Sequence, residues 1–201
     1  MLSAYEKMKN RKTPPSYLST TRGRKSSRRK LIGLCRGAMI AALYVALTYF
    51  AAALGLSSGA IQVRFSEALC ILPMFMPEAV VGRWIGCMIA NILTACVLWD
   101  IIFGSLATLI GALGAYFIGK WARRADTLGH RAQGIAARVL LPLPTVISNG
   151  LIVPAVLRYA YGVEDPIYFL VITVTVGEIL SAWLLGLLLL FPLEKSKGAF
   201  M

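Results

Sequence analysis

One histidine, nine acidic residues and four cysteines are spread over 201 positions, and each scarcity closes off a class of chemistry. His130 stands alone in a polar loop, a solvated place, with no H-E-x-x-H pair to hold zinc; no G-x-S-x-G nucleophile turn occurs either. No residue is therefore assigned a catalytic role, and the chain is not read as an enzyme. The phosphate-cradling G-x-x-x-x-G-K-[ST] is also missing, so the chain cannot hydrolyse ATP through a P-loop of its own. Cys35, Cys70, Cys87 and Cys96 show neither a C-x-x-C pair nor zinc-ligand spacing, and cysteines in apolar helices are usually small hydrophobes. The expectation is no disulfide, no metal and no cofactor.

What the chain has in plenty is apolar sequence and positive charge. Its hydrophobic fraction of 58% and mean hydropathy of +0.70 exceed the roughly 45–50% apolar content of soluble domains. The net charge of +12 is not spread as on a nucleic-acid-binding surface: 11 of 21 basic residues lie within Lys7–Arg36. Residues 1–30 read as a disordered basic cytoplasmic arm resting on anionic lipid, each cation contributing about 1 kcal/mol. No aromatics interleave with its charges, so nucleic acid is not an expected partner. Gly37–Leu56 is longer than the roughly 7–15 residue core of a secretory signal.

An apolar helix needs about 20 residues to cross the hydrocarbon layer. The pattern predicts an all-α membrane protein with six transmembrane helices: Gly37–Leu56, Phe65–Met76, Pro77–Trp99, Ile101–Gly119, Ala136–Tyr159 and Ile167–Leu190. Phe65–Met76 is short enough to be tilted or partly re-entrant. Asp100 is placed to cap the fourth span, and Pro142, Pro144 and Pro154 should kink or break the fifth. With six spans and a cytoplasmic N-terminus, every basic residue except Arg64 and Arg158 falls on the inner side, a strong positive-inside bias that places both termini in the cytoplasm. The core domain is residues 31–195, followed by a short cytoplasmic tail, 196–201.

Polar residues interrupt this apolar sequence. Arg64, Glu67, Glu78 and Arg83 fall within Ile61–Asn91, and Glu178 lies midway through the last span. A charge at the bilayer centre costs roughly 2.5–3.5 kcal/mol on translocon scales, so such groups face the protein interior, a wet cavity or the interface. Arg64 and Glu67, three residues apart, can form an ion pair that seals the short second span, or can bind a ligand. Asp100 is a cap or a ligand group. Asn91 and Asn149 lie at mid-membrane depth, Asn149 beside prolines whose freed backbone groups it could satisfy. Glu178 has no local partner and is the strongest ligand or coupling candidate. Arg83 and Arg158 lie near span ends and can snorkel.

Three stripes of small residues allow close helix approach: Ala38/Ala42/Ala46, Gly82/Gly86 and Ala107/Gly111/Ala115/Gly119. The last two read as internal packing.

The blocks IQVRFSEALCILPMFMPEAVVG, GCMIAN, DIIFGSLATLIGAL, SNGLIV and VGEILSAWLLGLLLL follow an alanine-rich first helix, AMIAALYVALTYF. In this order they resemble the QueT-like family, the queuosine-precursor substrate-binding components of energy-coupling factor (ECF) transporters, over about Gly37–Glu194. The resemblance implies a multi-pass protein of a prokaryotic cell membrane that captures a 7-deazaguanine outside. It also implies docking on a shared transmembrane coupling protein with two ATPase subunits, through an A-x-x-x-A motif matched here by Ala38, Ala42 and Ala46. Glu67 and Glu178 are then the candidates for base recognition, with Arg64, Asn91, Asp100 and Asn149 completing the shell. The long basic arm departs from the family's usual short N-terminus. Two other readings remain: an ECF-type subunit for another vitamin-like ligand, and a self-sufficient proton-coupled carrier with Glu178 as titrating group. Against the carrier, no repeat relates spans 1–3 to spans 4–6.

Overall fold

The computed structural model describes residues 16–56 and 62–195, with side chains from residue 27 onward. All regular secondary structure among them is helical. The described residues up to Cys35 form one unit and those from Arg36 a second, which holds the candidate site.

Helix α1 spans Ser16–Ala53 and so takes up part of the arm for which disorder was expected; residues 1–15 and the expected tail 196–201 lie outside the described residues. No proline follows Pro15 until Pro73, and Arg and Lys are helix formers nearly as good as Leu. After α1 come a 3-10 helix (Phe65–Met74), α2 (Glu78–Leu93), α3 (Leu98–Thr127), α4 (Arg131–Val139) and α5 (Leu143–Tyr159). The chain then runs through α6 (Ile167–Glu178) and one π-helical segment (Ile179–Leu184) into α7 (Leu185–Lys195).

Among the described residues four helical stretches are long and apolar enough to cross a membrane: Ser27–Ala53, Leu98–Thr127, Arg131–Tyr159 and Ile167–Lys195. The second and third expected spans are shorter, at 10 and 16 residues. In the 3-10 geometry the rise is about 2.0 Å per residue, so ten residues reach about 20 Å, less than the hydrocarbon thickness. Every residue from Ser66 to Met74 is buried, so the segment is wrapped by protein as an incomplete span must be. The fifth span breaks at Leu140–Pro142, where the proline cluster begins.

The ends of α1, α2 and α3 share one hydrogen-bond pattern. Leu56 N–H reaches Ala51 O, Cys96 N–H reaches Asn91 O, and His130 N–H reaches Ala125 O, each the six-to-one bond of a Schellman turn. Gly55 and Gly129 occupy the left-handed position of two of these turns, with φ of 71° and 77°. In the turn after α2 the position is held by Ala95, at φ 54°. The break between the third and fourth spans is therefore this turn at Thr94–Val97, not the expected Trp99–Asp100. Because α3 begins at Leu98 with Val97 as N-cap, Asp100 lies inside its first turn and makes no capping hydrogen bond.

Helix α3 is central, packing on α2, α4, α5 and the 3-10 helix. A Cβ on Gly111 would sit 2.8 Å from Thr145 Cα, and one on Gly119 2.8 Å from Met74 Cα, so this stripe packs internally as expected. Gly82 and Gly86 likewise meet α1, at Gly37 O and Tyr44 Cβ. Ala38, Ala42 and Ala46 are instead exposed, while Ile40, Ala41, Tyr44 and Ala51 of the same helix are buried.

Candidate functional site

The entry to the site is made by a short extended segment, Gln62–Arg64, laid across the last helical pair. A Cβ on Gly177 would stand 2.2 Å from the Gln62 carbonyl oxygen, so α6 has glycine where the segment crosses it. One turn on, Ser181 Oγ accepts the Arg64 backbone N–H at 3.0 Å and donates to Gly177 O at 2.7 Å. Ser181 lies in the π-helical segment that begins immediately after Glu178. Such segments are common at functional positions because the extra residue re-aims side chains. Arg64 is thereby fixed at its backbone. Its guanidinium donates no hydrogen bond among the described residues and lies within electrostatic reach of Asp100 and Glu178.

A cavity of about 370 Å³ opens here, lined by Arg64, Asn91, Asp100, Thr94, Tyr161 and Thr48 among others. That volume lies within the roughly 300–1,000 Å³ of small-molecule sites. The Schellman turn after α2 binds two of these residues together: Asn91 gives its carbonyl to the turn and its amide Nδ2 donates to Asp100 O at 3.2 Å. Tyr161 donates its hydroxyl to Asp100 Oδ2 at 3.0 Å and accepts the Val97 N–H at 3.3 Å. Burial, the contact with Cys96 and the Asp100 charge together push its phenol above the ordinary value, so it is a neutral donor at physiological pH. Asp100 is 4% exposed, and its Oδ1 has no hydrogen-bond partner among the described residues. Gly104, one turn further along α3, leaves room for that oxygen: a Cβ there would come within 2.7 Å of it.

Deeper in the bundle, Asn149 on α5 and the Glu178 carboxylate at the end of α6 lie within electrostatic reach of one another. Both side chains are buried, and Glu178 Oε2 has no hydrogen-bond partner among the described residues. Neither lines the cavity. Glu67 is placed differently from the pairing that its spacing from Arg64 suggested. Its Oε2 accepts from Arg83 Nη2 at 2.8 Å and its Oε1 accepts the Tyr44 hydroxyl. Arg83 therefore does not snorkel; it is fully buried. The reason is geometric: the 3-10 helix turns Glu67 towards α1 and α2, where Tyr44 and Arg83 converge, while Arg64 precedes that helix and follows the extended segment.

Of the six residues picked from the sequence for the substrate, Arg64, Asn91 and Asp100 share the cavity, Asn149 and Glu178 share a buried pair, and Glu67 belongs to a separate ion pair. Sequence reasoning missed Tyr161, Thr94 and Thr48. Tyr161 sits in YGVEDP, which signals only a turn, and nothing local says that this turn returns over Asp100. Arg158 holds the turn in place through bonds to Val163 O at 2.8 Å and Asp165 O at 3.4 Å.

Comparison with known proteins decides the family. The description "QueT transporter" fits residues 34–195, most of the chain. The chain belongs to the QueT transporter family. It is also 42% identical over 74 residues to the queuosine precursor transporter QueT of Lactococcus lactis subsp. cremoris. That alignment takes in 36% of this chain and 43% of the relative, so it spans less than half of the relative's length. No solved structure matches the chain. The chain thus joins membership of the QueT transporter family with four helical stretches, among the described residues, that are long and apolar enough to cross a membrane.

Proposed function

We propose that this chain is the substrate-binding membrane subunit of an ECF-type, ATP-driven importer in a prokaryotic cell membrane, and that it captures a queuosine precursor from the outer side. In this reading it crosses the membrane six times, with both termini in the cytoplasm. The observation that carries the substrate reading is Asp100, a buried carboxylate with one oxygen unpartnered among the described residues, which shares a cavity of about 370 Å³ with the Asn91 amide and the Arg64 guanidinium. An unpaired buried acceptor is costly, about 1–3 kcal/mol, and a ligand donor relieves that cost.

A 7-deazaguanine presents N1–H and an exocyclic amine side by side, which one carboxylate accepts as a pair, and a carbonyl oxygen to which Arg or Asn can donate. Asp100 takes the donor edge, Arg64 and Asn91 the carbonyl side, and Tyr161 holds Asp100 in orientation. Glu178 lies outside the cavity lining and acts on a bound ligand only through its charge, which favours an aminomethyl cation over a nitrile. Glu67 keeps a structural part, because both of its oxygens are already engaged.

The transport reading is supported by the outward Ala38/Ala42/Ala46 stripe on α1, which gives a coupling protein a surface of close approach, and by a sequence without a P-loop. Two ATPase subunits bound to that coupling protein would supply the energy. Calorimetry on the purified full chain with the free base, nitrile and aminomethyl forms of the 7-deazaguanine tests the substrate. Saturable binding of at least one is expected. Binding of none, with a different vitamin-like molecule retained in native mass spectrometry, would replace the queuosine precursor. Energised uptake by this chain alone in proteoliposomes under a proton gradient would defeat the ECF assignment in favour of a self-sufficient carrier.

A further inference from the structure

Helix α3 carries its own depth markers. Trp99 and Trp121 are 56% and 46% exposed and stand 22 residues apart, which at 1.5 Å per residue is about 33 Å. That is close to the roughly 30 Å of a hydrocarbon core, and tryptophan favours both edges of it. With Trp121 at one edge, the residues from Lys120 to Leu128 lie at the level of the lipid headgroups.

At that level lies a second concavity, about 380 Å³, lined by Lys120, Arg123, Arg124, Thr127 and Leu128, all in the last turns and the end of α3. The first four follow the spacing i, i+3, i+4, i+7 and so share one helix face. No carboxylate contributes to the lining. Lys120 Nζ lies 5.5 Å from the centre of the Tyr116 ring, and the Thr127 hydroxyl donates back to Arg123 O at 2.9 Å. Among the described residues none of the three cations is in an ion pair. The contrast with the neighbouring cation is informative. Arg138 on α4 is neutralised twice, by Asp126 at 2.6 Å and by Glu194. Among the described residues the fold thus supplies carboxylates to Arg138 and leaves Lys120, Arg123 and Arg124 without an ion pair around a hollow, with exposed Leu128 at its edge.

We propose that this hollow is a binding site for the headgroup of an anionic phospholipid. The phosphate sits among Lys120, Arg123 and Arg124, and the acyl chains lie along the apolar flank of α3 beyond Trp121. A positive-inside charge bias requires cations near the membrane but not a concavity free of carboxylates at headgroup depth. Free phosphate offers the same charge but nothing to lie against Leu128 and Trp121, so the lipid is the occupant.

The test is native mass spectrometry of the full chain in detergent, titrated with phosphatidylglycerol or phosphatidylcholine of equal chain length. The wild type is expected to retain one phosphatidylglycerol in clear preference to phosphatidylcholine. Replacing Lys120, Arg123 and Arg124 together by Gln should lower that preference about a hundred-fold, at roughly a factor of five for each charge. Arg124→Gln alone should lower it several-fold. Removing three charges from the basic arm, as Arg28→Gln, Arg29→Gln and Lys30→Gln, should lower it far less than the α3 variant does, because the arm is attracted to an anionic surface in general and not to one headgroup. Equal losses from the arm variant and the α3 variant would overturn the site in favour of general charge attraction. Equal retention of both lipids by the wild type would overturn it outright, and displacement of the lipid by excess inorganic phosphate would make it a free-anion site instead.

Discussion

Glu67 is paired with Arg83, 2.8 Å away on α2, and not with Arg64, three residues before it in sequence. The two side chains are 1% and 0% exposed, and the Tyr44 hydroxyl donates to the other carboxylate oxygen. Three elements, α1, α2 and the 3-10 helix, are therefore joined at one buried charge pair.

Breaking that pair from one side should be severe. Removing one partner of a buried ion pair costs about 3–5 kcal/mol because the other charge is left uncompensated, whereas replacing both by apolar groups is often neutral. Arg83→Leu should lower the melting temperature in detergent sharply, and the double variant Arg83→Leu/Glu67→Met should recover most of the loss. A single variant that melts like the wild type would show that the pair contributes nothing to the bundle.

Gly177 tests the entry segment. A Cβ there would meet the Gln62 carbonyl at 2.2 Å, a backbone atom that no side-chain rotation can move. Gly177→Ala should displace residues 62–64, break the Arg64 N–H bond to Ser181 and abolish ligand binding along with some stability. Unchanged ligand affinity in calorimetry would mean that the Gln62–Arg64 segment takes no part in the site.

Asp100→Asn keeps the shape of the side chain but puts a donor where the ligand's donors should arrive. A lost hydrogen bond to a charged group is worth about 1.5–3 kcal/mol, so ligand affinity should fall roughly ten- to a hundred-fold or more. Gly104→Ala, which crowds Oδ1 at 2.7 Å, should act in the same direction with normal yield. If both variants bind as the wild type does, the donor edge is recognised elsewhere, and Glu178 becomes the main candidate.

Ala42→Leu addresses the exposed face of α1. Added bulk prevents close helix approach, so the variant should no longer co-purify with the coupling protein while ligand affinity stays nearly unchanged. Intact assembly with lost ligand binding would reveal that the stripe serves the subunit's own fold.

Ala95 holds a left-handed conformation at φ 54°, which costs an L-residue roughly 1–2 kcal/mol relative to the ordinary region. Glycine adopts it freely but has a larger entropy loss on folding, about 0.5–1 kcal/mol. Ala95→Gly should therefore stabilise the bundle by a few tenths to about 1 kcal/mol, seen as a higher midpoint in thermal unfolding. A lower midpoint would indicate that the methyl group packs usefully in the turn before Cys96.

The sequence by itself determined the membrane class, the all-helical fold, the break at the proline cluster and the family. Each of these depends on properties local to a stretch of chain: apolar run length, the missing N–H of proline, and blocks of consecutive residues. It also singled out Arg64, Asn91 and Asp100, because a polar group in an apolar helix is conspicuous without any knowledge of its neighbours. Only the tertiary structure decided who pairs with whom. Glu67 turned to Arg83 because Arg64 lies in the extended segment before the 3-10 helix, so the two share no helix face, while Tyr44 of α1 and Arg83 of α2 converge on the carboxylate. Tyr161 reached Asp100 across 61 positions because the α5–α6 turn, held by Arg158, folds back over the start of α3. Spacing along one helix specifies neighbours within that helix, and contacts between elements arise only when the bundle closes.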